Sequence, residues 1–136
     1  MRLILCLDDR NGMMFNHRRQ SRDRAVIADI LTSVGQGTVF TTAYSVPLFE
    51  ALGASPICSE ELPENGTKED VYFLEDRSPA PYLERFDSVT VYRWNRHYPA
   101  DLTFDADLEA CGFHLTQCTE LVGVSHEKIT KECFEK

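Results

Sequence analysis

The strongest constraint on this chain is that short apolar runs alternate with helix-like stretches for two-thirds of its length, and then the helices stop. "RLILCL" (Arg2–Leu7) has the length of one buried strand and is too short for a membrane span or the apolar part of a signal peptide. "GTVFTT" (Gly37–Thr42), "DVYFL" and the alternating "SVTVYRW" read as further strands. Between the first two, a helix is predicted from about Asp23. Val26, Ile27, Ile30, Leu31 and Val34 share one face, Gly35 closes it, and Ser21 or Asp23 caps its start. "YSVPLFEALG" predicts a short helix with Pro47 in its first turn and Gly53 as its stop. "SPIC" predicts a brief strand, the acidic stretch around Asn65-Gly66 an exposed excursion, and "SPAPYLERF" a short helix capped by Ser78. "GFHLTQC" and "KITKECF" then alternate as two strands suited to antiparallel pairing.

This order predicts one α/β domain over residues 1–136. Its central sheet is mixed and mostly parallel, with helices on both faces and an antiparallel strand pair at the C-terminus. A chain of 136 residues, 43% hydrophobic and 26% charged, has enough apolar material for one core. The five cysteines, Cys6, Cys58, Cys111, Cys118 and Cys133, are odd in number and form no CxxC pair. They read as reduced thiols, mostly buried beside strands, which suggests a cytoplasmic setting.

Charge points to possible sites. A net charge of −8 argues against an extended face for nucleic acid. Yet "NGMMFNHRRQSRDRA" (Asn11–Ala25), which reads as a polar loop after the first strand, crowds Arg18, Arg19, Arg22 and Arg24 together, the first three just before a helix start. Guanidinium groups there suit a phosphate or carboxylate, with Asn16, Gln20 and Ser21 as further donors. The alternative is a solvated loop whose arginines pair with the chain's own acids. In "YRWNRHYPAD" (Tyr92–Asp101), Trp94 is placed to stack on a ring while Asn95 and Arg96 read its edge. The alternative puts Trp94 in a side cluster and Asp101 opposite Arg96. In "SHEKIT" (Ser125–Thr130), His126 is a candidate acid or base. An extended strand, however, would put His126 and Lys128 on one face and Glu127 on the other, and Ser125 lacks a nucleophile elbow. The histidines His17, His97, His114 and His126 show no metal-ligand spacing, and the HxHxDH cluster of zinc-dependent ribonucleases is absent, as are nucleotide-cradling loops.

Several of these segments resemble dihydrofolate reductase. "LILCLDDRNGMMFN" followed by "SRDRAVIADIL" is similar to that family's opening strand, glycine-containing loop and acid-bearing helix. "FDSVTVYRWNRHYPADLTFDADLEACGFHL" resembles its later strand and the sequel, and "HEKITKECFEK" its closing strand. The resemblance implies the family's fold and makes Asp23 the nearest counterpart of the acid that supports pterin protonation, with Ala25 the other alignment. The departures lie at the cofactor. Where the family carries Gly-Arg this chain has Thr41-Thr42, and where it carries Gly-Gly this chain has Glu75-Asp76, which argues against NADPH.

Two classes of function follow. One is a binding protein for a small anionic or nucleotide-like ligand, held by Arg18, Arg19, Arg22 and Arg96 with Trp94 stacking. The other is an enzyme: a divergent reductase using Asp23, or a metal-independent phosphodiester hydrolase using His126 or His97. A bland interaction domain and a homo-oligomer remain open alternatives.

Overall fold

The computed structural model describes all of residues 1–136. Its main sheet has seven strands: β1 (Arg2–Leu7), β4 (Val39–Thr41), β5 (Ile57–Cys58), β6 (Val71–Phe73), β7 (Ser88–Arg93), β9 (His114–Leu121) and β10 (Ile129–Glu135). They lie in the order β5-β4-β6-β1-β7-β10-β9. The pairs β5–β4, β4–β6, β6–β1 and β1–β7 are parallel; β10 runs antiparallel to both β7 and β9. The predicted mixed sheet and its antiparallel end are therefore present, with β1 at the centre. That place follows from its sequence, because a strand covered on both faces needs apolar side chains in both directions. Leu3, Leu5 and Leu7 pack into one core cluster and Ile4 into the other.

Helix α1 (Arg24–Val34) and helix α2 (Val46–Glu50) form where the periodicity and Pro47 placed them. Asp23 caps α1 by accepting a hydrogen bond from the backbone N–H of Ala25, and Gly35 ends it at φ 58°. Both helices lie over the same face of the sheet. Val26, Ile27 and Ile30 of α1 and Leu48 and Phe49 of α2 pack with Ile4, Phe73, Tyr92, Trp94 and Ile129.

Helices on both faces were expected; the second face is covered differently. "SPAPYLERF" folds as a 3₁₀ turn (Ala80–Arg85), with Pro79 and Pro81 at its start. The rest of the cover comes from Phe104, Phe113 and a small three-stranded sheet of β2 (Gly12–Phe15), β3 (Arg18–Arg19) and β8 (Leu102–Thr103). The expected polar loop is thus largely strand. Met13 and Met14 supply its buried side chains, and the turn between β2 and β3 is made by Asn16 and His17 at φ 53° and 60°. No helix is long and apolar enough to cross a membrane.

Candidate small-molecule site

The parallel strands β1 and β6 end, as open α/β sheets do, beside a crevice. Two buried aspartates organise it. Asp8 follows β1 directly and is 1% exposed. Its Oδ1 accepts from the N–H of Arg10 (2.9 Å) and Gly12 (2.7 Å), and its Oδ2 from the N–H of Tyr98 (3.1 Å) and Nε2 of Gln20 (3.0 Å). Burial works to raise its pKa, but these donors together hold the carboxyl below the ordinary range.

Asp23, 4% exposed, sits at the start of α1. Its Oδ1 accepts from the N–H of Ala25 and Val124, both at 2.9 Å. Its Oδ2 accepts from the N–H of Ser125 (2.9 Å) and His126 (3.1 Å), from Oγ of Ser125 (3.2 Å), and meets Nδ1 of His126 at 3.0 Å. Here too burial opposes ionisation, and the hydrogen bonds from Val124, the His126 ring, Ala25 and Ser125 outweigh it, leaving the carboxyl far below its usual value. A carboxylate so saturated has no lone pair turned to a substrate and no proton to lend. The role of proton donor that the resemblance assigned to Asp23 is not available to it in this arrangement.

His126 differs from its sequence expectation. Residues 124–127 form a bend between β9 and β10, and the ring is buried instead of lying on a solvated strand. It stacks on Trp94, with ring centroids 4.6 Å apart and planes at 22°. Trp94 is consequently 3% exposed and offers that face to the imidazole, not to a ligand. On the ring's other side, Nε2 lies 2.9 Å from Oγ of Ser21 and 3.3 Å from the hydroxyl of Tyr98.

The arginines do not converge. Arg19 forks onto Glu75, with Nε 3.0 Å from Oε2 and the second nitrogen 3.2 Å from Oε1, and it covers the Tyr44 ring at 4.6 Å. Glu75, 7% exposed, also accepts from Oγ of Ser45 at 2.6 Å. Arg18 points to solvent on β3, and Arg96 is exposed, with only its carbonyl engaged, by the N–H of Asp9. Asn95 turns at φ 58° and donates to the Lys128 carbonyl and Thr130 Oγ1. Asp101 accepts from the N–H of Asn16 and does not pair with Arg96. Gln20 is committed to Asp8 and the Pro99 carbonyl.

Arg22 is different. With Arg24 it lines a groove of about 340 Å³ between the two helices, floored by Ile27, Pro47, Leu48 and Leu52 and edged by Val124 and Ser125. Neither arginine makes an ion pair. Leu48 and Leu52 carried no signal of a site in the sequence, because apolar spacing marks core and groove floor alike. A narrow cavity of about 10 Å³ adjoins the groove through shared Arg22, Asp23, Ile27 and Leu48, and reaches Ser21, Cys6 and Trp94.

A dinucleotide meets poor conditions here. The two positions after Leu74, where glycines would let a phosphate approach, are the buried Glu75 and the half-buried Asp76, and Asp76 accepts from Thr42 Oγ1 at 3.2 Å. The first turn of α2 is already occupied by the Glu75 carboxylate through Ser45. These residues do not fit NADPH. No three His, Cys, Asp or Glu side chains are grouped to hold a metal ion. The cysteines also depart from expectation: Cys58, Cys111 and Cys118 are exposed, and Cys6 and Cys133 are half-buried.

No family model matches the chain, and no curated protein matches it. Among solved structures it is similar to a dihydrofolate reductase from Enterococcus faecalis complexed with NADP(H) and RAB-propyl. The TM-score is 0.63 at 10% identity, covering 98% of this chain and 94% of that one. The chain therefore has a dihydrofolate-reductase-like fold.

Proposed function

We propose that this domain binds a small molecule with an apolar body and an anionic group, seated between α1 and α2 and held at its charged end by Arg22 and Arg24. The observation that carries this reading is the groove itself. Its volume lies at the lower end of the range for small-ligand sites, its floor is apolar, and its two cations have no acidic partner within the protein. On a chain of net charge −8, two unpaired arginines beside one apolar groove favour an anion locally although the overall field opposes it. Folate reduction is not part of this reading, since Asp23 is saturated and the cofactor positions carry carboxylates.

The test is a binding titration followed by backbone amide chemical shifts, using aryl carboxylates, phosphorylated sugars and nucleotides. At least one class should shift the amides of Arg24, Ile27, Leu48 and Ser125. The double change Arg22→Ala/Arg24→Ala should weaken that ligand by at least about tenfold, since a charge-assisted hydrogen bond contributes about 1.5–3 kcal/mol. A ligand whose affinity ignores both arginines, or no shift at millimolar concentration, overturns the reading.

A further inference from the structure

The contacts of His126 form an ordered chain: a carboxylate, an imidazole and a hydroxyl. Asp23 Oδ2 is 3.0 Å from Nδ1, and Nε2 is 2.9 Å from Ser21 Oγ. Because the Asp23 carboxylate can only accept, Nδ1 carries the imidazole proton and Nε2 is left as the acceptor for Ser21. Trp94 fixes the plane of the ring, and four backbone N–H groups fix the carboxylate. We propose that Ser21, His126 and Asp23 act as nucleophile, general base and positioning carboxylate in the hydrolysis of small carboxylic esters.

A tether between the β9–β10 connection and α1 explains the Asp23 contacts but not the rest. Asp23 alone holds Val124, Ser125 and His126 by their backbones, so the tether is complete without an imidazole turned toward a hydroxyl. Ser21 belongs to neither sheet nor helix, and it faces the small cavity that opens toward the groove. The other nucleophile there, Cys6, is unsuited to the role: burial first, and the Glu75 carboxylate second, push its thiol well above the ordinary value. The cavity beside Ser21 has room for little more than a carbonyl, so the acyl group is short and the remainder of the substrate extends into the groove.

In the reaction, Ser21 Oγ bonds to the ester carbonyl carbon as its proton passes to His126 Nε2. The oxyanion forms beside Arg22, which lines the same cavity. Its collapse breaks the carbon–oxygen bond to the alcohol, which leaves with the proton from Nε2. Water then attacks the acyl-Ser21 ester and gives a proton to Nε2; the Oγ–acyl bond breaks as Nε2 passes that proton to Oγ, releasing the carboxylic acid and restoring Ser21. The constellation differs from the anion groove, and Ser21 labelling and ligand titration fail or succeed separately.

The decisive experiment treats the whole chain with an alkyl fluorophosphonate, in which a serine oxygen displaces fluoride from phosphorus, and maps the adduct by peptide mass spectrometry. One adduct is expected, on Ser21, absent in Ser21→Ala and at least tenfold slower in His126→Gln. Since His126→Gln also disturbs packing, a second variant guards the test. The thiol introduced by Ser21→Cys should react with iodoacetamide at least tenfold faster than exposed Cys58 in the same molecule. For the positioning role, Asp23→Asn should lower kcat for p-nitrophenyl acetate at unchanged KM. An unlabelled Ser21 in the folded protein, or an introduced thiol no faster than Cys58, overturns the proposal.

Discussion

Asp8 and Asp23 are built alike and end differently. Each is a buried carboxylate at the mouth of the sheet, each gathers backbone N–H groups from segments distant in the chain, and each has a glycine pressed against it. An added Cβ at Gly12 would come within 2.9 Å of Asp8 Oδ1, and one at Gly123 within 2.5 Å of Asp23 Oδ2. Around Asp8 no partner leads on to a hydroxyl: the donors are three backbone amides and the Gln20 amide, which also reaches the Pro99 carbonyl. Around Asp23 one partner is an imidazole that passes the polarisation on to a hydroxyl. The same device, a desolvated carboxylate satisfied by backbone donors, serves in one place as a knot and in the other as the base of a relay.

That contrast can be broken in order of effect. Asp23→Ala should be the most damaging change, costing about 3–5 kcal/mol in denaturant unfolding, because it strands several buried donors and removes the cap of α1 together. Hydrogen exchange should show the amides of Val124, Ser125 and His126 losing protection first; a loss of less than about 1 kcal/mol would mean water replaces the carboxylate freely.

Asp8→Asn should cost less, about 2–3 kcal/mol, since the amide keeps one acceptor for the Arg10 and Gly12 donors but turns an NH₂ against the others. Its unfolding should leave the exchange of Val124 and Ser125 unaltered if the two centres are independent.

Acid should affect both centres with the same sign. Each carboxyl titrates lower folded than unfolded, so each stabilises fully above the unfolded value of about 3.9 and loses that contribution as pH falls toward the folded one. Unfolding measured from pH 6 to pH 2 should therefore steepen below about pH 4, and less so in Asp8→Asn. An unchanged acid limb in that variant would remove Asp8 from the account.

The smallest effect should be Ser21→Ala, at about 0.5–1.5 kcal/mol for one hydroxyl contact. A much larger loss would make Ser21 a structural member of the Asp23 centre and erase the distinction from Asp8.

Much of the architecture could be read along the chain. Period-two alternation in "SVTVYRW" and "KITKECF", the helical spacing from Val26 to Val34, and Asp23 followed by that spacing are local patterns set by neighbouring residues, and they appear as β7, β10 and a capped α1. The arginine-rich stretch was visible as a cluster, but its members' partners were not. Arg19 and Glu75 are 56 positions apart, and Arg22 differs from Arg19 only in what the fold carries to it. His126 shows the same limit, since its sequence neighbours suggest a strand face in water while the turn before β10 buries it against Trp94, 32 positions upstream.

Local residue patterns set the order and type of most of the elements and the buried character of β1. Only the tertiary structure decided which charges are spent on one another and which stay free. A strand or a cap is specified by residues within a few positions, whereas the environment of Arg19, Arg22, Asp23 or His126 is made by segments up to about a hundred positions away, and their meeting depends on the packing of the whole sheet.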